Sequence, residues 1–198
     1  MFVTFEGIDG SGKTTQAELL AAALRADGHE VVSTREPGGT ELGERVRALV
    51  LRGPDLSAWT EAALFAAARA QLVDEVIAPA LQRGADVVCD RYLDSSLAYQ
   101  GIARGLGVEE VLALSVRVSG GLFPDRTFVV LLDAAEAERR RVGGPDRIER
   151  ENLSFHREVD RAYREVAALY PERIVLLDGA RAPEELAREV RDELRALA

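Results

Sequence analysis

Residues Gly7-Ile8-Asp9-Gly10-Ser11-Gly12-Lys13-Thr14 spell the pattern G-x-x-x-x-G-K-[ST], and their flanks decide what kind of fold can carry it. Phe2-Val3-Thr4-Phe5 just before is a short β-type run, and Thr15 to Leu24 just after is a helix-type run. A strand, a glycine-rich loop and a helix in that order let backbone N–H groups curl around one centre. The helix adds the positive end of its dipole at the same place. Lys13 is the sole lysine among 25 basic residues; every other one is Arg. A compact ammonium on a thin stem suits a loop wrapped around phosphates, where a wide planar guanidinium does not fit. The sequence therefore reads as a nucleotide-phosphate site. Gly7, Ile8, Asp9, Gly10, Ser11, Gly12, Lys13, Thr14 and Thr15 would hold ATP, with the Thr14 hydroxyl on Mg²⁺.

Composition excludes several classes of function. The net charge of −9 argues against a nucleic-acid polymer as partner, and it means that any anionic ligand must be met by a local group of Arg. No apolar run approaches ~18 residues and no basic–apolar leader is present, so a cytoplasmic protein with no membrane span is expected. Cys89 is the one cysteine and falls in an apolar run, which reads as a small buried hydrophobe rather than a disulfide or metal ligand. The 198 residues carry no internal repeat or linker, so residues 1–198 are expected to form one domain.

Four more β-type runs follow at 30–33, 86–89, 127–132 and 173–177. Three of them are continuously apolar, as strands covered on both faces should be. Helical patterns occupy 41–52, 58–83, 108–118, 134–141, 152–169 and 183–197, and Pro79 predicts a kink or break in the long second one. The alternation implies an α/β fold of three layers, a five-stranded parallel sheet with helices on both faces. Ligands bind such sheets at the carboxyl ends of the strands. Arg35-Glu36, Asp90-Arg91 and Asp133 then share the edge of the phosphate loop, whereas Asp178-Gly179 reads as a plain turn.

Asp90, delivered by Val87-Val88-Cys89, is placed to reach Mg²⁺, and Arg91 beside it to reach a transferred phosphoryl group. Asp133 precedes a helix start and is expected to cap it. Arg139-Arg140-Arg141, the Gly143-Gly144-Pro145 joint and Asp146-Arg147 suggest a lid over phosphates at about 139–149. Phe65 and Arg69 are four apart and share a helix face, where they could stack a base and bond its edge, although a core Phe with a surface Arg is the commoner meaning of such a pair. Trp59 is expected to pack, and His29 and His156 to lie at the surface.

A guanine-reading Asn-Lys-x-Asp loop is impossible, because the only lysine is already used. A small chain with an Arg-rich lid and a second anion-ready corner suggests phosphoryl transfer between two nucleotides. At this level of detail the residues resemble bacterial thymidylate kinases. The resemblance runs through Phe5 to Gln16, Thr34-Arg35-Glu36-Pro37-Gly38-Gly39-Thr40, Leu64 to Gln71, Asp90-Arg91-Tyr92, Ser95 to Gly101, Phe123-Pro124-Asp125 and Asp146-Arg147-Ile148-Glu149.

That resemblance implies a P-loop kinase fold, transfer of the ATP γ-phosphoryl to dTMP, and a homodimer. It implies that Phe65 stacks thymine, Arg69 bonds O4, and Ser96 and Gln100 take the remaining base edge. Tyr99 would exclude a ribose 2′-OH, and Asp9 would hold the sugar 3′-OH. Arg35, Glu36, Arg47 and Arg91 would surround the acceptor phosphate, and Lys13 and Arg91 would bridge the two phosphate groups. Gly10 places the chain with members that carry their catalytic Arg in the lid, for which Arg141 is favoured. The family often has Asp and His where Ala68 and Leu72 stand here. The stretch between Asp133 and Asp146 is also a few residues short. Two alternatives are a deoxynucleoside kinase and a nucleotide switch without an acceptor. The apolar stretches 58–83 and 108–118 could serve as dimer faces or equally as core.

Overall fold

The computed structural model describes residues 1–140, 144 and 146–196. Five strands, β1 (Phe2–Glu6), β2 (Val31–Arg35), β3 (Asp86–Asp90), β4 (Arg126–Leu131) and β5 (Ile174–Asp178), form one parallel sheet in the order β2-β3-β1-β4-β5. The central β1 is buried along its whole length, with Val3 in register with Val88 on one side and with Arg126 on the other. Because all pairings are parallel, every carboxyl end lies at one edge.

Side-chain alternation along β1 feeds two cores. Val3 and Phe5 join Val88, Phe128 and Val130 beneath α1 (Lys13–Ala26) and α9 (Pro183–Arg195), through Leu20, Leu186 and Val190. Phe2 points the other way, into a larger cluster with Val87, Cys89 and Val129 under α8 (Leu153–Leu169). Each Phe or Leu buried fully in these layers contributes about 1.5–3 kcal/mol. Thr4 and Glu6, on the Phe2 side, are polar residues in that second core. Thr4 Oγ1 pairs with Thr127 Oγ1 at 2.8 Å, and Glu6 belongs to the site described below.

The remaining helices are α2 (Glu41–Arg52), α3 (Ala58–Leu72), α4 (Ala78–Gln82), α5 (Leu93–Ser96), α6 (Val108–Val118) and α7 (Ala134–Arg140). The expected break in 58–83 is a π-helical turn, Val73–Ile77, between α3 and α4. Pro79 sits in the first turn of α4, where its missing N–H and its ring cannot continue the regular ladder, and a wider turn absorbs the mismatch. The segment Leu93–Ala103, absent from the predicted helices, is helical throughout, with Leu97–Ala103 wound as a π-helix. The strand and helix expectations otherwise hold to within a few residues, and Asp133 Oδ1 caps the N–H groups of Ala135 and Glu136 as expected. Trp59 is a correction: it is 50% exposed in the first turn of α3 rather than packed.

Candidate active site

The loop from Gly7 to Gly12 leaves β1 and enters α1, whose first turn carries no acidic residue to neutralise its N–H groups. Gly7 and Gly10 have φ of 135° and 88°, open only to glycine in practice, and the protein encloses both. A Cβ at Gly10 would lie 2.2 Å from the Ala137 carbonyl oxygen, so α7 seals this side of the loop and leaves no space for an Arg at position 10. Lys13 is buried, and its Nζ reaches Asp9 Oδ1 at 2.6 Å.

The same Asp9 oxygen accepts from Arg91 Nη2 at 2.7 Å. Burial disfavours the Asp9 carboxylate, but the charges of Arg91 and Lys13 outweigh it and hold the group well below the usual carboxylate range. Two cations from opposite sides of the loop thus converge on one oxygen, as they would on a phosphate oxygen. Arg91 follows β3 in a left-handed conformation, φ 71°, the only positive φ outside glycine among the described residues. Such a conformation costs on the order of 1–3 kcal/mol and persists where the surroundings over-determine it.

Those surroundings centre on Glu6, which motif reading does not single out. Arg91 Nη1 donates to Ser95 Oγ and Tyr163 Oη, both at 3.1 Å, and each hydroxyl also bonds Glu6 Oε2. Glu6 Oε1 accepts the backbone N–H groups of Tyr92 and Ser95. Burial, and then the nearby Asp94, push the Glu6 carboxyl up to about 7, against the opposing charge of Arg91. The unfolded chain releases this proton near 4.5, so between 4.5 and about 7 the folded state holds more protons than the unfolded one. Stability from this group is therefore complete at low pH and falls, by about 3 kcal/mol in all, as pH rises through that window. Glu6→Gln should remove that slope. Urea unfolding of both proteins at pH 5 and pH 8 checks it, and a stability difference that stays constant with pH would refute the assignment.

Beside Arg91 opens a cleft with a cavity volume of about 130 Å³. Eight of the ten residues singled out for the acceptor nucleotide line it: Asp9, Glu36, Arg47, Phe65, Arg91, Ser96, Tyr99 and Gln100. Arg47, half-buried, donates to the Pro37 carbonyl at 3.0 Å. Burial and the like charges of Arg35 and Arg91 lower its pKa, against the opposing carboxylates of Glu44 and Asp146. Arg35 instead faces the neighbouring groove and pairs with Glu44 at 2.9 Å. Arg69 is 1% exposed and lies behind the lining: it grips Glu36 through Nε and Nη2 and donates to Ser96 Oγ, Ser115 Oγ and the Tyr92 carbonyl. Burial alone would lower its pKa, but the Glu36 carboxylate raises it; burial in turn raises the Glu36 carboxyl, against the opposing charge of Arg69. The π-helix carries Tyr99 and Gln100, and such wide turns occur at functional sites.

Asp146, Ile148 and Glu149, from the end of the expected lid at 139–149, complete the cleft. Arg139 and Arg140 both pair with Glu136, and Arg140 Nη1 also bonds the Gly179 carbonyl at 2.9 Å. Arg141, Gly143 and Pro145 lie outside the described residues. Ala68 packs with Val46 and Val50, and Leu72 is wholly buried in the main core. Apolar packing therefore satisfies both positions where the family that the sequence resembles often has Asp and His.

Thr14 Oγ1 donates to Asp90 Oδ2, so the two residues named for Mg²⁺ touch. Asp90 Oδ1 is buried without a hydrogen-bond partner, an orphaned carboxyl oxygen beside a hydroxyl. Among the described residues no cluster of three or more His, Cys, Asp or Glu could hold an ion alone. This donor set fits Mg²⁺, which takes one or two protein oxygens and completes its shell with water and substrate phosphates.

Comparison with known proteins shows which chains this one is similar to. A family model described as thymidylate kinase matches residues 5–190. The chain is 48% identical over 193 residues to a thymidylate kinase of Deinococcus radiodurans, covering 96% of this chain and 94% of that one. It is 47% identical to one of Caldanaerobacter subterraneus, covering 90% and 86%. The crystal structure of thymidylate kinase from Ehrlichia chaffeensis superposes with a TM-score of 0.81 at 34% identity, covering 98% of both chains.

Proposed function

The chain belongs to the thymidylate kinase family, ATP-dependent phosphotransferases acting on dTMP, and from that premise we propose how its residues divide the work. The observation that carries the proposal is the convergence of Lys13 and Arg91 on Asp9 Oδ1 where the phosphate loop meets the cleft. Gly7 to Thr15 hold the ATP phosphates. Arg47 and Arg91 hold the dTMP phosphate, Glu36 borders it while paired with Arg69, and Arg35 would have to leave Glu44 to join them. Phe65, Ser96 and Gln100 read the base, with Arg69 acting from behind through Ser96 rather than at the base edge; Tyr99 closes the 2′ side of the sugar, and Asp9 turns to the 3′-OH. Arg141 is the proposed lid arginine.

Phosphoryl transfer needs little covalent help from the protein. Positioning and charge neutralisation carry the rate. Lys13 and Arg91 then exchange Asp9 for phosphate oxygens and draw donor and acceptor together. Thr14 and Asp90 would hold Mg²⁺, which when bound neutralises phosphate charge. The whole chain, residues 1–198, is taken to work as one catalytic domain in the cytoplasm. No helix of the described residues is long and apolar enough to cross a membrane. A homodimer through 58–83 and 108–118 completes the proposal, supported on the first of these stretches by Trp59, which is 50% exposed.

A coupled ADP-release assay with dTMP, thymidine, dUMP, dCMP and AMP tests the substrate. dTMP should be the best acceptor. dUMP, lacking one methyl, should follow within ~10–200-fold, and dCMP should be rejected more strongly. Turnover of thymidine without dTMP would make the protein a nucleoside kinase, and ATP binding without any acceptor would make it a switch. Light scattering on the same sample should give twice the 21.5 kDa monomer mass, and the monomer mass would remove the dimer.

A further inference from the structure

We propose that Glu61 is a positioning residue for base selection: it fixes which end of the Gln100 amide faces the cleft, and so restricts the acceptor to pyrimidines bearing an N3–H. The inference rests on reading the cleft as the dTMP site.

Glu61 lies in the first turn of α3, one turn before Phe65, and is 1% exposed. In sequence it looks like an ordinary acid favourable to a helix start. In the fold, its Oε1 accepts from Gln100 Nε2 at 2.8 Å and its Oε2 from Arg147 Nη2 at 2.6 Å, with Arg104 at 3.5 Å from both oxygens. Burial pushes its carboxyl up, but the bonds from Gln100 and Arg147 outweigh it and hold the group below its ordinary value. An ionised carboxylate only accepts hydrogen bonds. The end of Gln100 that faces it must therefore be the amide nitrogen.

The consequence lies on the other side of the amide. Gln100 lines the cleft and is itself 2% exposed, so its carbonyl oxygen is the end left for a base. A free glutamine could turn over to suit either partner, because the two ends of an amide differ little in shape. Glu61 removes that choice. A fixed acceptor pairs with the N3–H of thymine or uracil, whereas cytosine would set its N3 lone pair against the oxygen.

The same carboxylate steadies the wall of the cleft. Arg147 also donates through Nε to the Val50 carbonyl at 2.8 Å and through its backbone N–H to the Leu51 carbonyl at 2.8 Å. Its chain neighbours Asp146 and Ile148 line the cleft. One buried acid thus joins the base-reading amide to the segment that covers the base. Burying it is tolerable because guanidinium and amide donors compensate the charge.

The test is kcat/KM for dTMP and dCMP in the wild type, Glu61→Gln, Gln100→Ala and the double variant. The wild type should prefer dTMP by ~10³-fold or more. Glu61→Gln, which can donate as well as accept, should narrow that ratio by ~10-fold or more, and in the Gln100→Ala background it should change the ratio by less than ~2-fold. An unchanged ratio in Glu61→Gln, or the same narrowing with and without Gln100, would overturn the proposal, since a purely structural loss lowers both substrates together. Should Glu61→Gln not fold, Glu61→Asp keeps the charge beside Arg147 but withdraws it from Gln100, and should narrow the ratio likewise. Equal use of dCMP and dTMP by the wild type would refute the proposal without any variant. A wild type inactive on dTMP would instead refute the reading of the site on which it rests.

Discussion

Lys13→Arg is expected to abolish turnover as fully as Lys13→Ala, with kcat down by ~10³-fold or more and the melting temperature little changed. Charge is retained in the first substitution, so only shape separates it from the wild type. The Lys13 side chain is 8% exposed at the first position of α1, with its ammonium 2.6 Å from Asp9. A compact ammonium can swing from Asp9 to phosphate oxygens within the loop. A guanidinium there would carry five donors in a rigid fork into a space closed by backbone, and Ala137 already abuts the loop at Gly10. The coupled assay decides it. Near-normal kcat in Lys13→Arg would show that the loop needs charge alone, and would end the argument from the solitary lysine.

Arg91→Ala is expected to lower kcat by ~10³-fold or more and to weaken dTMP as well, because in the proposed division of roles this guanidinium would meet both the acceptor and the transferring group. Its position is over-determined: Asp9 at 2.7 Å, Ser95 and Tyr163 at 3.1 Å, and the Tyr99 ring with its centroid 5.4 Å away. Lysine cannot satisfy that set, since three rotatable donors on a point charge do not reproduce a planar fork. Arg91→Lys should therefore recover less than about a tenth of the activity lost by Arg91→Ala. Steady-state kinetics with dTMP varied at saturating ATP separates the two effects. A large rise in KM with kcat intact would leave Arg91 as an anchor for the acceptor phosphate and remove it from the transfer step.

Much of this protein was legible in one dimension because its signals are local. The loop Gly7–Thr14 announces itself through residue types at fixed spacing. The strands announce themselves through short apolar runs, and their alternation with helices is enough to imply a parallel sheet with its ligands at the carboxyl edge. Asp90, Arg91 and Arg35 could be assigned to that edge before any coordinates, since each follows or ends a β-type run. Pro79 marked the interruption of the long helix, though not the π-helical form it takes.

What only the tertiary structure decided are contacts between residues far apart in the chain. Glu6 and Tyr163 are 157 positions apart and share a hydrogen bond; Glu61 is 39 from Gln100 and 86 from Arg147. No periodicity or motif encodes such pairs, because a buried carboxylate differs from a surface one only in what the fold packs around it. The same reason explains Arg69, which the helix pattern placed on one face with Phe65. The packing of α3 against α6 and the Glu36 loop buried it behind Ser96 rather than in the cleft wall. Sequence spacing determined which residues reach the edge of the sheet. Close packing of distant polar groups, each needing a partner once removed from water, determined which of them face a ligand and which hold the others in place.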